Sequence, residues 1–344
     1  MKPASWPRDD RRDTRLLSID PTRGDFRDLT IRALPSLLRA GDVLVVNDAA
    51  TLPASLHGTA DGAPIEVRLA GPEVDGRFAA VLFGAGDWHT RTEDRPPPPP
   101  LSAGAQLRFA GLSATVTEVD AVVPRLVSLL FDRRGAQLWH ALYLVGRPVQ
   151  YAHTERPLPL WLVQTGYAAR PWAAEAPSAG FALSWELLLG LRRGGVEVAR
   201  LTHAAGLSST GDAALDARLP LTERYEICSN TVAAITATKR RRGRVVAVGT
   251  TVARALEGAA AQTGTLVAGV GATDLLLGPR SRLRVVDGLL TGAHDVDTSH
   301  FRLLEAFAPR ALLERAHQLA AEVGYLGHEF GDAVVVLPTE TGVA

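Results

Sequence analysis

A single cysteine, Cys228, stands among 344 residues, which excludes an internal disulfide framework and any zinc site built on several thiolates. A lone Cys in an apolar chain is expected in the core rather than as a nucleophile. An excess of one charge is missing too. Lys+Arg and Asp+Glu both number 37, for a formal net charge of +0, so the bulk lacks the basic bias of a general nucleic-acid binder and leaves only a local patch open. No run of eighteen apolar residues occurs, so nothing is expected to span a membrane. The first fifteen residues are charged and hold no apolar stretch, so no secretory leader is expected and the compartment is read as cytoplasmic.

Several catalytic signatures are absent as well. There is no GxxxxGK[ST] loop, no GxGxxG opening, no HExxH and no GxSxG elbow. The nine histidines are scattered, and His294 and His300 lack helical ligand spacing, so no metal is expected. No repeat recurs at 20–50 residues.

What is present argues for an α/β protein. Residues 42–46 form a short apolar, β-branched run between Gly41 and Asn47, the mark of a buried strand. Residues 65–69 alternate apolar and charged, as a half-exposed strand does. From 71 to 131 come short strand-like pieces between Gly-rich turns, including 78–83, 106–109 and 114–119, which suggests a small all-β module. Pro96 to Pro100 have no backbone donors and read as a stiff exposed loop. Beyond 147 strands alternate with helices. Ser184 is expected to cap a helix over 185–193, Ser229 one over 230–242, and Pro309 fits the first turn of a helix over 310–323. The reading is a discontinuous α/β sandwich domain, residues 1–69 and 148–344, with a small β-barrel inserted at 70–147.

Two segments are chemically suggestive. Residues 245–248 form a buried strand that runs through Gly249, Thr250 and Thr251 into a helix. The start of such a helix offers unpaired N–H groups and a positive dipole end, fit for a carboxylate or phosphate. Arg254 and Glu257 follow about one and two turns later; an ordinary capped helix with surface charges accounts for the same letters. Pro177, Ser178, Ala179 and Gly180 make a loop of small residues that a flat ligand could approach closely, or a simple turn. The basic run 239–244 reads as a solvated helix end without RNA.

In order along the chain these pieces resemble the S-adenosylmethionine:tRNA ribosyltransferase-isomerases of queuosine biosynthesis. Residues 41–48 with 52–54 are similar to that family's "PGDLLVFN…IPA". Gln164, Thr165, Tyr167 and 176–180 are similar to "YQTVY…APTAG", and 244–257 to "RVIAVGTTxxRxLE". Residues 285–291 and 331–333 complete the series. The resemblance implies an α/β domain with an inserted barrel. It also implies S-adenosylmethionine used as a ribosyl donor toward a 7-aminomethyl-7-deazaguanine in tRNA, with adenine and methionine released, no metal, and a monomer. Binding is then expected at Asn47, Gln164, Tyr167, Pro177, Ser178, Ala179, Gly180, Gly249, Thr250, Thr251, Arg254 and Glu257, with His294 and Glu223 as the two acid/base candidates, either of which could be the base.

The sequence departs from the family where chemistry is expected. Phe181, Ala182 and Leu183 stand for Leu-His-Phe; "TLHVGxGTF" becomes 202–209, with its histidine lost or displaced by one; "MHxE" keeps only Glu223; "TNFHLPxST" keeps His294. Two arginines of the family appear as Ala50 and Ser55. Two further readings therefore stand beside the family reaction: a paralogue using S-adenosylmethionine with another acceptor or as a lyase, and a non-catalytic nucleoside-binding protein.

Overall fold

The computed structural model describes residues 1–339. A nine-stranded mixed sheet forms its centre. Four parallel strands, Glu197–His203, Val43–Asn47, Val245–Val248 and Gly288–Gly292, lie side by side. Glu223–Ile227 and Gly269–Thr273 extend the sheet antiparallel on one side. Ala333–Val336, Arg15–Asp20 and Asp25–Thr30 extend it on the other. Both faces are covered, which is why the central strands read as unbroken apolar runs. Val43, Val45, Val245 and Ala247 point into one core with the helices Ser229–Arg240, Thr250–Thr263 and Arg310–Glu322. Leu44, Val46, Val246 and Val248 point into the opposite core with helix Trp185–Arg193. Ser184 caps that last helix, its Oγ accepting from the Leu187 N–H at 3.2 Å.

The inserted module is a closed antiparallel barrel of six strands: Leu112–Val119, Leu126–Phe131, Phe78–Phe83, Ala63–Leu69, Ser55–Ala60 and Gln106–Phe109. Closure removes every sheet edge. Two of its strands precede residue 70, so the barrel begins at Ser55 and not at the expected boundary. Ser55 also bridges to Arg147 where the chain returns. The expected half-exposed strand over 65–69 is buried on both sides. Glu66 accepts from Ser55 Oγ at 2.7 Å and Arg68 Nε at 2.8 Å, and pairs with Arg95. Burial pushes the Glu66 carboxyl upward, but the two guanidiniums outweigh it and hold the group down at about 2. Helix Gly135–Val145, which the sequence reading did not contain, packs Leu138, Ala141 and Leu142 against the barrel core.

Two smaller expectations change. The helix expected to follow a Ser229 cap starts at Ser229 itself, with Cys228 as the flanking residue, and Cys228 is exposed rather than in the core. Among the described residues no helix is long and apolar enough to cross a membrane.

Candidate active site

The four parallel strands end their carboxyl termini along one edge, where open α/β sheets bind ligands. A cleft of about 570 Å³ opens there, bounded by the sheet edge, the loop after Glu197–His203 and the segment 291–300. Its floor is the strand-to-helix turn. Gly249 sits at φ 90°, ψ 150°, a conformation close to glycine-only. No side chain caps the helix that follows, so the first N–H groups, from Thr250 onward, are left for a ligand. The second small-residue segment meets this turn directly: a Cβ built on Gly249 would lie 3.5 Å from the Ala179 Cβ. Pro177, Ser178 and Ala179 thus form one wall of the same cleft as Gly249, Thr250 and Thr251.

Arg254, one turn into the helix, is 8% exposed and forms an ion pair with Glu223 at 2.6 Å. Its Nε donates to the Leu275 carbonyl at 3.0 Å. Its Nη2 is buried with no hydrogen-bond partner among the described residues. Glu223 accepts from the Gly206 N–H at 2.7 Å. Burial raises the Glu223 carboxyl above the ordinary range, and Arg254 opposes that rise. Behind the pair lies His203, fully buried, with Nε2 3.4 Å from Glu223. Burial, and then the charge on Arg254, push His203 down to about 3, so it is neutral at pH 7. Glu223, expected as an acid or base, is held in a salt bridge with Arg254.

His294 stands on the opposite lip. Its Nε2 is 2.8 Å from Thr291 Oγ1, and its ring stacks on His300 with centroids 4.7 Å apart. Burial lowers the His294 pKa well below its ordinary value, and the neighbouring His300 and His328 add to this. The imidazole is therefore neutral at pH 7 and has a nitrogen able to accept a proton, but burial makes it a weaker base than an ordinary histidine.

Five expected binding residues do not line the cleft, and their contacts say why. Asn47 accepts from the Ala49 and His203 N–H groups at 3.0 and 2.9 Å and donates to the His203 carbonyl at 3.0 Å. Gln164 clasps the backbone N–H and carbonyl of Thr51 at 2.9 and 3.0 Å. Glu257 accepts from the N–H groups of Arg284, Val285 and Val286 at 2.8–2.9 Å. Tyr167 packs against Gly180, where an added Cβ would fall 2.1 Å from the phenol oxygen. Asn47, Gln164 and Glu257 thus spend their polar groups on backbone partners.

The structure also brings in groups the sequence reading did not single out. Glu175, two residues before Pro177, lines the cleft. It accepts from Tyr151 Oη and from the N–H and Oγ of Ser208 at 2.9 and 3.1 Å. Burial raises its pKa. Its place beside the small-residue loop was the one signal available. His300, His328 and Glu329 also face the cleft, and no spacing in the sequence marks them.

The model for the "Queuosine biosynthesis protein" family matches residues 2–336. A protein of Gloeobacter violaceus named S-adenosylmethionine:tRNA ribosyltransferase-isomerase is 36% identical, over 97% of this chain and 92% of its own. One of Acidithiobacillus ferrooxidans with the same name is 34% identical, over 97% and 94%. The crystal structure of a Thermotoga maritima S-adenosylmethionine tRNA ribosyltransferase is similar in fold. The TM-score is 0.54 at 24% identity, covering 97% of this chain and 96% of that one.

Proposed function

Because the chain belongs to the queuosine biosynthesis protein family, we propose that it is an S-adenosylmethionine-using ribosyltransferase-isomerase. The reaction transfers the ribosyl group to a 7-aminomethyl-7-deazaguanine in tRNA, rearranges it to an epoxycyclopentane, and releases adenine and methionine. The observation that carries this reading is the meeting of two small-residue turns at the cleft floor, beside a buried guanidinium with one free face.

In this reading the methionine carboxylate lies on the N–H groups from Thr250 onward, in the field of the helix dipole and within reach of Arg254 Nη2. Glu223 is a positioning residue: its ion pair aims Arg254. The adenine and ribose lie along Pro177, Ser178 and Ala179, a proline ring and two small side chains that a flat ligand can approach closely. A hydrogen beside the sulfonium is weakly acidic, so its removal needs a neutral base in a dry site. His294 is that base. The sulfonium and ammonium charges of the substrate face Glu175 and Asp295 across the cleft. The protein is read as a cytoplasmic monomer.

The test is incubation with S-adenosylmethionine, with and without unmodified tRNA, followed by mass spectrometry for adenine and methionine. Release that depends on tRNA supports the reading; no release under either condition contradicts it. One observation favours a second reading. The cleft is lined by Glu175, Glu223, Glu329 and Asp295 against Arg254 alone, a balance that suits a cationic nucleoside better than a polyanion. The exposed residues of the basic run, Lys239, Arg240, Arg241 and Arg242, lie at the opposite end of the Val245–Val248 strand from the cleft. A paralogue acting on S-adenosylmethionine without RNA would release adenine or methylthioadenosine in the tRNA-free arm.

A further inference from the structure

We propose that His153, His328 and Glu329 bind a divalent transition-metal ion at the rim of the cleft, with open coordination positions. The proposal is independent of the ribosyl-transfer reading.

One donor atom from each of the three side chains lies within 4.8 Å of the other two. His153 Nε2 is 3.0 Å from Glu329 Oε2. Metal bonds of about 2.1 Å at 90–109° separate neighbouring donors by about 3.0–3.4 Å, so this pair already has the spacing of adjacent ligands. The His153 and His328 rings lie side by side, centroids 4.3 Å apart and tilted by 39°. His328 occupies φ 65°, the left-handed region, one residue before Glu329. Two consecutive side chains are thereby directed at a histidine 175 residues earlier in the chain, since the contact runs from His153 to His328.

The donor set selects the ion. Two imidazoles and one carboxylate suit zinc, ferrous iron or cobalt(II), whereas magnesium and calcium demand oxygen ligands. Three protein ligands leave at least one position free, the arrangement of catalytic rather than structural sites. His328 and Glu329 line the cleft, which puts the site at its rim. With neutral imidazoles and one carboxylate a divalent ion keeps a net charge of +1, which would attract a water-derived hydroxide or an anionic oxygen of the bound ligand.

The experiment uses the full chain, stripped with a chelator and titrated calorimetrically with Zn²⁺ and with Co²⁺, the latter also followed by visible absorption. One equivalent is expected, with cobalt bands in the visible and no competition from a tenfold excess of Mg²⁺. His153→Ala, His328→Asn and Glu329→Gln should each weaken binding at least tenfold, Asn being chosen because it tolerates the left-handed backbone. His89→Ala, on an exposed barrel loop paired with Asp87, should bind as the wild type does. Zn²⁺ should also shield His153 and His328 of the wild type from acylation by diethyl pyrocarbonate, read by mass spectrometry, a measurement that needs no variant to fold. Absence of binding, binding unmoved by all three substitutions, or unshielded histidines would each overturn the proposal.

Discussion

Replacing Arg254 by Met should destabilise the protein in a manner that depends on pH. The substitution keeps most of the side-chain volume but removes the cation 2.6 Å from Glu223. A buried carboxylate without its partner takes up a proton rather than remain charged. At pH 7, about 2.7 units above the ordinary Glu pKa of about 4.3, that uptake costs about 4 kcal/mol. The value agrees with the roughly 3–5 kcal/mol seen when one member of a buried pair is removed. At pH 5 the same uptake costs about 1 kcal/mol. The sign follows from linkage: the folded variant holds one proton more than the folded wild type, so its destabilisation relative to the wild type grows as pH rises. It makes no difference to the slope whether the proton sits on Glu223 or on His203, 3.4 Å away. For 344 residues the unfolding entropy is about 0.7 kcal/mol/K, so the midpoint at pH 7 should drop by about 5 °C. Thermal and urea unfolding of wild type and variant at pH 5, 6 and 7, without ligand, give the comparison. The double variant with Glu223→Gln should recover most of the loss, because neither buried charge remains. A destabilisation below about 1 kcal/mol at pH 7, or one equal at pH 5 and pH 7, would refute the reasoning.

Gly249→Ala forces a side chain into φ 90°; it should cost about 1–3 kcal/mol in stability and at least tenfold in affinity for S-adenosylmethionine, measured by calorimetry. Because the added Cβ would meet Thr251 Oγ1 at 3.4 Å and Ala179 at 3.5 Å, the loss is strain and not collision, and Gly249→Ser should behave alike. His294→Ala should lower adenine release by about 10²–10⁴-fold with an unchanged circular dichroism spectrum; unchanged turnover would remove His294 from the mechanism. In the barrel, Arg95→Met leaves Glu66 with Arg68 alone and should cost about 3–5 kcal/mol by denaturant unfolding. The wild-type Glu66, held at about 2, contributes fully above its unfolded pKa of about 4.3 and loses that contribution as pH falls toward 2. Acid unfolding should therefore begin at higher pH in Arg95→Met than in the wild type.

The floor of the cleft was legible because its signals are local. A β-branched run, a glycine and two threonines in succession specify strand, turn and helix without reference to the rest of the chain, and the structure places Gly249, Thr250 and Thr251 at that turn. What misled the reading was polarity without solvent. Glu66 and Arg68 alternate with apolar residues as exposed positions do, yet each satisfies the other inside the barrel. Asn47, Gln164 and Glu257 have the side chains of ligand-binding residues, but their partners are backbone groups of segments remote in sequence. The barrel boundary moved for a related reason: strands Ser55–Ala60 and Ala63–Leu69 become barrel strands only by pairing with residues 106–109 and 78–83. His153 and His328 could not be linked from letters alone, since only the fold brings them together.

A crystal structure of the protein with S-adenosylmethionine bound is the decisive measurement. Substrate placement is expected with the methionine carboxylate on the amide groups from Thr250 onward, beside Arg254, and the adenine along Pro177, Ser178 and Ala179. A ligand seated elsewhere, or one whose adenine occupies the Gly249 turn while the carboxylate points to solvent, would contradict it.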